Sequence, residues 1–444
     1  MKSEAAMNLE DIFVLAETLF PINRSLTGNG VRQTLEIIKN IIPEFKISEV
    51  KSGVKAFDWI IPVEWNIESA YIIGPDGRKF CDYSENNLHL VGYSEPISKK
   101  LKLDELQLHL YSLPEQPNAI PYVTSYYDDK WGFCISQNDR NNLIDGDYKV
   151  LIKGSKSSGS LTYGDLVLKG RSKKEILIST YICHPSMANN EVSGICVSAF
   201  LARWISEQVD RFYTYRFIFI PETIGSIYYL SKHRKYLRKN VIAGFNVTCI
   251  GDDRNYSFLP SRNGKTLSDR IGKHVLNKID PSFRIYSWSD RGSDERQYCA
   301  PKIDLPIATI MRTKYGEYPE YHTSLDALGT VVTKEGLEGG LNALKNAVLC
   351  IESNYYPLIS TYGEPQLSKK DLYPKTSIKS SQDKARLILD LLTWADGTNS
   401  VLDIAEITET YMMDIFPYLK ILESKNLITL NRKSSVTFFD YFSK

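Results

Sequence analysis

Residues 175–194 of the chain read EILISTYICHPSMANNEVSG. The first part, EILISTYIC, is largely apolar on both faces of an extended chain, which is typical of a strand buried inside a parallel sheet. Histidine and proline follow, and the small and polar residues after them are typical of the first turn of a helix. The stretch therefore predicts a strand that delivers His184 to the edge of a sheet, directly before a helix.

Three further stretches repeat this pattern. We predict strands at 215–221, 241–250 and 306–312, and helices at 191–208, 224–238 and 333–352. Strands that are apolar on both faces and alternate with helices indicate a largely parallel sheet covered by helices on both sides. The predicted fold class is α/β, with a mostly parallel mixed sheet flanked by helices.

Residues 54–155 have a different character. Short aromatic and β-branched runs such as FDWIIPVEW and PYVTSYY are separated by turn residues, a pattern typical of a small β-rich domain. Helical patterns precede this segment, and the alternation of strands and helices follows it. We therefore predict a β-rich domain at 54–155, inserted into an α/β domain made of residues 1–53 and 156–358.

The C-terminal part of the chain predicts a winged helix at 376–444. The stretch 357–383 is rich in Pro, Ser, Lys and Tyr and is typical of a linker. Three amphipathic helical patterns follow it, and then a short hairpin at 428–442. Between 401 and 425 there are five acidic residues and two lysines, which argues against DNA binding. We expect this module to pack against the chain, to bind a protein partner or to form a homo-oligomer.

The overall composition excludes several classes of protein. The chain has 444 residues, with 54 Lys and Arg against 53 Asp and Glu, so no net field favours nucleic acid or a membrane surface. Its seven cysteines are scattered, without the paired spacing of a disulfide framework. No stretch reaches the ~18 apolar residues of a membrane span. We expect a cytoplasmic protein with reduced cysteines.

Polar side chains follow each predicted strand of the sheet. They are His184, Asn189, Asn190 and Glu191 after the first strand, Glu222 after the second, Asp252 and Asp253 after the third, and His322 and Asp326 after the fourth. The carboxyl ends of parallel strands meet at one edge of a sheet, so these side chains are expected to converge. Neutral imidazoles and carboxylates suit Zn²⁺ with an open coordination position. The sequence therefore predicts a site for zinc or another divalent metal.

The segments CHPSMANNEVSG, PETIGS, CIGDD, GSDERQYC and EYHTSLD occur in this order. They resemble the motif blocks of the co-catalytic zinc aminopeptidases of the bacterial leucyl aminopeptidase type. More closely, the chain resembles a bacterial aminopeptidase-like family, often found near polysaccharide or secondary-metabolite genes, that has an inserted β domain and a C-terminal winged helix. The resemblance extends over nearly the whole chain, including FPINRSLTGNGVR near its start.

The resemblance implies roles for three residues. His184 matches the first metal-ligand histidine of the family, His322 the last, and Glu222 the general-base glutamate. Glu222 keeps the role of base if it does not bind the metal, and the base is lost if it becomes a ligand.

Three positions depart from the family pattern. Asn190 stands in the place of a bridging aspartate, Thr223 in that of a ligand glutamate and Thr248 in that of an aspartate. An amide oxygen is a poor zinc ligand beside a carboxylate, and threonine is a worse one. Glu191 and Asp252 lie close enough in sequence to replace the lost carboxylates. The number of ions stays open between one and two, with Asn190, Glu191 and Asp252 as candidate ligands besides the histidines.

Further residues are candidates for supporting roles. Asp326 could orient a ligand imidazole, as carboxylates commonly do at metal sites. Asp294 and Arg296 resemble the Ser-Asp block that lies near the site in the family. Arg24, Arg312 and Arg296 could bind a substrate carboxylate through their fork of donors, and an ordinary surface charge or salt bridge explains each arginine equally well.

The sequence leaves three functions open. The first is a metal-dependent hydrolase of amide bonds, an aminopeptidase acting on a small peptide or an aminoacyl conjugate. The second is a single-zinc acyl transferase or cyclase of the glutaminyl-cyclase type, which the lost ligands favour. The third is a catalytically decayed binding or scaffold protein, because a fold does not guarantee its chemistry.

Overall fold

The computed structural model describes residues 11–372 and 379–432, with the backbone alone at 379–384. The helices are α1 (Ile12–Leu19), α2 (Asn29–Ile41), α3 (Leu103–Gln107), α4 (Gln137–Asn141), α5 (Ser193–Glu207), α6 (Ile224–Asn240), α7 (Leu267–Ile279), α8 (Glu295–Tyr298), α9 (Lys334–Glu352), α10 (Lys379–Trp394), α11 (Val401–Ile407) and α12 (Met412–Ser424). The strands are β1 (Lys46–Lys51), β2 (Lys55–Ala56), β3 (Trp59–Ile60), β4 (Glu64–Ile73), β5 (Lys79–Phe80), β6 (Ile97–Lys102), β7 (Leu110–Tyr111), β8 (Phe133–Cys134), β9 (Asp147–Ser157), β10 (Ser160–Leu168), β11 (Glu175–Tyr181), β12 (Thr214–Ile220), β13 (Val241–Asn246), β14 (Ser257–Leu259), β15 (Arg284–Ile285), β16 (Ile307–Met311), β17 (Tyr356–Ile359) and β18 (Ile428–Asn431).

The largest sheet is a mixed sheet of eight strands in the order β1-β10-β12-β11-β13-β16-β14-β15. The inner strands β12, β11, β13 and β16 are parallel, whereas β10 and β14 join them antiparallel. Every residue of β11 is buried, as expected for a strand that is apolar on both faces. The predicted α/β fold with a mixed, mostly parallel sheet is therefore confirmed.

Helix α5 begins directly against the ends of the inner strands. A π-helical turn at Ala188–Val192 leads into it from β11. A Cβ atom at Gly194 would lie 2.6 Å from the carbonyl oxygen of Val247 and 2.7 Å from Thr180 Oγ1. Only glycine therefore permits this close approach, which holds the polar turn before α5 at the edge of the sheet.

A second, antiparallel sheet has the strand order β5-β4-β9-β6. It packs on a core that includes Trp65, Tyr93, Phe133 and Tyr148. Its strands begin inside the predicted insertion, and β9 ends two residues beyond residue 155, at Ser157. Both sheets belong to one compact unit, within Met1–Gly272 and Asp280–Leu344. The boundaries of the inserted domain stay a prediction.

The other compact unit lies within Lys273–Ile279 and Lys345–Lys444. It contains the three predicted helices as α10, α11 and α12. The linker predicted at 357–383 is wrong in part, because β17 occupies its first residues and α10 begins before its end. Strand β18 pairs antiparallel with β17, which precedes the three helices in the sequence. The rest of the hairpin predicted at 428–442 lies outside the described residues.

The composition predicts no membrane span and predicts reduced cysteines. Within the described part of the chain, no helix is long and apolar enough to cross a membrane. All seven cysteines are described, and each is buried with a free thiol. The expectation of reduced cysteines in the core is therefore confirmed.

Candidate metal and catalytic site

Two histidines from distant parts of the chain meet at the carboxyl ends of the parallel strands. The ring centroids of His184 and His322 are 5.7 Å apart. His184 Nε2 lies 3.7 Å from the carboxylate of Glu222. The 3.7 Å between His184 Nε2 and Glu222 is compatible with two ligands of one ion, because two zinc bonds of about 2.0–2.2 Å each span at most about 4.4 Å. The structure thus brings these three predicted residues together.

A segment of the predicted insertion fixes His322. The backbone of His322 is left-handed, with φ 57°, and its carbonyl oxygen accepts a hydrogen bond from Tyr122 N at 2.9 Å. Its ring stacks on Tyr321 with the centroids 3.9 Å apart. A non-glycine residue in this backbone region is uncommon and is often found at functional sites. The sequence does not predict this contact, because Tyr122 lies 200 positions away from His322.

Glu191 lies behind His184, on the side of the ring away from Glu222. The His184 Nδ1 atom is 2.8 Å from Glu191 Oε2, and Arg24 Nε is 3.6 Å from Glu191 Oε1, with both side chains fully buried. Among the described residues, Cys183, His184 and Glu191 are the one group of three His, Cys, Asp or Glu residues whose ligand atoms lie within 4.8 Å of one another, and the Arg24 guanidinium lies beside Glu191. The contact at Nδ1 places Glu191 where it orients the His184 ring, and its role as a metal ligand stays a prediction.

Burial determines the charge of the groups in the site. Burial, and then the charge of Arg24, lower the pKa of His184 to about 3. Burial, and then His184, lower the pKa of His322 to about 3. Burial, and then the charge of Asp294, raise the pKa of Glu222 well above its usual value. At neutral pH both imidazoles are uncharged, which is the form that binds a metal ion.

Two of the three positions that depart from the family pattern form a neutral cluster. The Tyr181 hydroxyl donates to Asn190 Oδ1 at 3.0 Å and lies 2.5 Å from Thr248 Oγ1. Thr248 Oγ1 also donates to the carbonyl oxygen of Asn190 at 3.1 Å. The amide oxygen of Asn190, which was predicted to bind metal, is therefore used in a hydrogen bond, and we correct that role to a structural one.

The third position, Thr223, has an unusual backbone. Its φ is 64° and its ψ is −76°, a conformation that costs a β-branched residue about 1–3 kcal/mol. Thr223 N and Ser226 Oγ each donate to Asp294 Oδ1 at 2.8 Å, and burial raises the pKa of Asp294 to about 6. Asp294 therefore fixes the start of α6 directly after Glu222, close to the site as predicted.

Asp252 is fully buried and is held by other donors. Its carboxylate accepts hydrogen bonds from Asn189 Nδ2 at 2.9 Å, Thr313 N at 2.8 Å, Thr313 Oγ1 at 2.7 Å and Arg254 N at 3.1 Å. Both carboxylate oxygens are therefore used within the protein. We correct its predicted role from metal ligand to an anchor between these loops.

Asp326 is also fully buried, and it orients backbone rather than a ring. It accepts hydrogen bonds from Asn189 N at 2.7 Å, Asn190 N at 3.0 Å and the Tyr318 hydroxyl at 3.0 Å. These bonds fix the π-helical turn that carries Glu191. The prediction that Asp326 orients an imidazole is therefore wrong, because its oxygens face this turn.

A cavity of about 470 Å³ opens beside the two histidines. It is lined by Leu26, Trp59, Tyr122, Thr124, Tyr126, Tyr127, Cys183, His184, Glu222, Thr223, Ile224, Arg296 and His322. The predicted insertion thus supplies most of the aromatic wall. The sequence pattern did not identify Trp59, Tyr122, Tyr126 and Tyr127 as cavity residues, although the run PYVTSYY, which contains the three tyrosines, was visible.

The three candidate arginines lie in different surroundings. Arg296 lines the cavity. Arg24 is buried against Glu191, and the Arg312 guanidinium packs on the Tyr256 ring, 3.9 Å from its centroid. Since neither Arg24 nor Arg312 borders the cavity, we correct their predicted role in substrate binding to a structural one.

Comparison with known proteins identifies the family. A family model described as "Domain of unknown function (DUF4910)" matches residues 13–354. The chain belongs to the DUF4910 family. A second model, described as winged helix-turn-helix, matches residues 354–430. A relative from Clostridium acetobutylicum is 42% identical over 397 residues, which are 89% of this chain and 90% of the relative. Its name assigns it provisionally to polysaccharide biosynthesis and gives it an aminopeptidase-like domain.

Solved structures agree with this assignment. The crystal structure of a Clostridium acetobutylicum protein, classed provisionally as a peptidase, has a TM-score of 0.89 and 40% identity, and the match covers 95% of this chain and 96% of that one. BSAP, a zinc aminopeptidase from Bacillus subtilis, has a TM-score of 0.54 and 12% identity over 76% of this chain and 94% of its own. The second likeness shows that this DUF4910 protein shares the fold of a zinc aminopeptidase.

Proposed function

We propose that the protein is a metal-dependent hydrolase of amide bonds in a small substrate. The observation that carries this proposal is the convergence of His184, His322 and Glu222 at one cavity. His184 and His322 supply two neutral imidazole nitrogens, which are common zinc donors, and leave coordination positions open for water and substrate. We therefore propose one divalent ion held by the two histidines, with Glu222 beside it as an unbound carboxylate. When bound, such an ion polarises the scissile carbonyl as a Lewis acid.

Glu222 is the residue that we propose as the general base. Its side chain is 20% exposed and borders the cavity. Burial and Asp294 raise its pKa, which makes it a stronger proton acceptor than an ordinary exposed carboxylate. Glu222 takes a proton from the attacking water and passes it to the leaving nitrogen as the C–N bond breaks. Amide and water thereby yield an acid and an amine.

We propose one ion rather than two. A second ion would need carboxylates at the positions of Asn190, Thr223 and Thr248, and each of these side chains is neutral and hydrogen-bonded. His184 and His322 would hold the single ion, with Glu191 and Arg24 fixing the His184 ring from behind.

The test uses the purified full-length protein, incubated in turn with zinc, cobalt and manganese. Metal content is measured, followed by hydrolysis of a panel of aminoacyl nitroanilides and N-acyl amino acids. Glu222→Gln should lower kcat by at least about 100-fold while the metal is retained. Glu207→Gln, at an exposed glutamate at the end of α5, should leave kcat unchanged.

Two results would contradict the proposal, and each would favour another function. Bound metal without hydrolysis of any panel member would favour acyl transfer or cyclisation in the same pocket. Failure to bind any of the three metals would favour a scaffold protein. Loss of the metal in Glu222→Gln would make Glu222 a ligand instead of the base.

A further inference from the structure

Few of the side chains that border the cavity are charged. Among the described residues that line it, Glu222 is the one carboxylate and Arg296 the one permanent cation. Three other acids near the strand ends, Glu191, Asp294 and Asp326, are at most 1% exposed. Because Glu222 is assigned to proton transfer, no carboxylate of the described cavity wall is left to pair with a substrate ammonium group.

Arg296 is positioned to bind an anion. Its side chain is exposed, and one terminal nitrogen donates to Thr223 Oγ1 at 2.8 Å, which fixes the guanidinium at the cavity wall. The two acids beside it in sequence bond elsewhere: Asp294 accepts from Thr223 N at 2.8 Å, and Glu295 accepts from the Tyr315 hydroxyl at 2.8 Å. A guanidinium held in this way presents its remaining donors to a carboxylate.

Much of the rest of the cavity wall is aromatic. The hydroxyls of Tyr122 and Tyr126 are hydrogen-bonded to each other at 2.6 Å, and the rings of Trp59 and Tyr127 meet edge-on with the centroids 6.2 Å apart. Trp59 is 40% exposed and Tyr127 56% exposed, so both retain surface that a ligand can cover. Such a wall favours an aromatic or apolar group over a charged one.

On the basis of the hydrolase function above, we propose that the substrates are N-acyl amino acids. The acyl group is aromatic or apolar and contacts the aromatic wall, and Arg296 binds the carboxylate that lies next to the scissile amide. Hydrolysis adds water across the C–N bond: the acyl carbon takes the hydroxyl and the nitrogen takes the proton. The products are a carboxylic acid and a free amino acid, and the substrate needs no free α-amine.

Three small amides test this proposal with the zinc-loaded, full-length protein. N-benzoylglycine carries a carboxylate and no ammonium group, N-benzoylglycinamide carries neither, and L-phenylalanyl-glycinamide carries an ammonium group and no carboxylate. Release of benzoate or phenylalanine is measured by chromatography. We expect kcat/KM for N-benzoylglycine to exceed that of each other probe by about 10- to 100-fold, the value of a charge-assisted hydrogen-bonded pair.

Variants of Arg296 test its role as the residue that determines specificity. Arg296→Gln should reduce the preference for N-benzoylglycine over N-benzoylglycinamide to near unity, and Arg296→Lys should keep part of it. Arg291→Gln, at an exposed arginine of the same segment that does not line the cavity, should keep the full preference. The preference is a ratio within one sample, so partial loss of folded protein does not change it.

The outcomes separate this inference from the function on which it rests. Faster hydrolysis of L-phenylalanyl-glycinamide than of N-benzoylglycine would overturn the substrate class. A preference that Arg296→Gln leaves intact would overturn the role of Arg296. Either result keeps the hydrolase proposal, whereas hydrolysis of none of the three probes by metal-loaded protein would count against that proposal itself.

Discussion

Replacing Arg24 with methionine should destabilise the compact unit that contains the site by about 2–6 kcal/mol. The side chains of Arg24 and Glu191 are both 0% exposed, and their charged atoms are 3.6 Å apart. Arg24 also donates to the carbonyl oxygens of Leu19 at 2.7 Å and His184 at 3.1 Å. Methionine is of similar length but removes the donor from both carbonyl oxygens and the positive charge beside Glu191.

The magnitude follows from these partners. A buried carbonyl that loses its donor costs about 1–3 kcal/mol, and two carbonyls are affected. Burial raises the pKa of Glu191 and Arg24 opposes that rise, so Glu191 takes up a proton in Arg24→Met and avoids the larger cost of an isolated buried charge. The double variant Arg24→Met with Glu191→Gln should therefore lose less free energy of unfolding than the two single variants together, by about 0.5–3 kcal/mol.

The assay is urea unfolding followed by thiol labelling of Cys196, which is fully buried on α5. Peptide mass spectrometry identifies the label, so the signal reports on this unit even if the two units unfold separately. Arg203→Met is the control, because it removes an exposed pair with Glu207 at 3.5 Å and should cost less than about 1 kcal/mol. Equal losses of unfolding free energy in Arg24→Met and Arg203→Met would refute the stabilising role assigned to the buried partners of Arg24.

Three further predictions concern the site. Asp294→Asn removes a negative charge that raises the pKa of Glu222. The acidic limb of the pH–rate profile, where Glu222 loses its proton, should therefore move to lower pH. An unmoved limb would exclude Glu222 as the titrating base. Chelation of the metal should lower the midpoint temperature for labelling of Cys196, because the ion binds only the folded chain. Addition of zinc should restore the midpoint temperature. A midpoint temperature that neither treatment changes would count against a metal in this unit. Asn190→Asp, Thr223→Glu and Thr248→Asp together should raise the zinc content from one ion to two per chain by elemental analysis, and a content that stays at one would show that these three positions alone do not exclude the second ion.

The sequence was sufficient to predict the scaffold of the site. Strand β11 is apolar on both faces, so its burial and its delivery of His184 to the sheet edge follow from the pattern alone. The meeting of His184 with His322 and Glu222 follows from the rule that the carboxyl ends of parallel strands share one edge. The types of the helices and strands and their order along the chain were therefore enough to predict this part of the site.

The direction of individual side chains could not be predicted in the same way. Spacing places Glu191 within reach of a metal, but the π-helical turn Ala188–Val192 directs it to the far nitrogen of His184. Asp252 is fully hydrogen-bonded through donors on separate loops, such as Thr313. The contact between Tyr122 and His322 joins segments 200 residues apart. Each of these features depends on tertiary packing, which local periodicity does not encode.

Zinc affinity tests most directly whether His184 and His322 bind one ion. Affinity and stoichiometry are measured by competition with a chelator for the wild type, His184→Ala, His322→Ala and the double variant, with His233→Ala, on α6, as a control. We expect one ion per chain, a loss of at least about 100-fold in each single variant, and a double variant little weaker than the weaker single one. Wild-type affinity in either His184→Ala or His322→Ala would contradict the shared site.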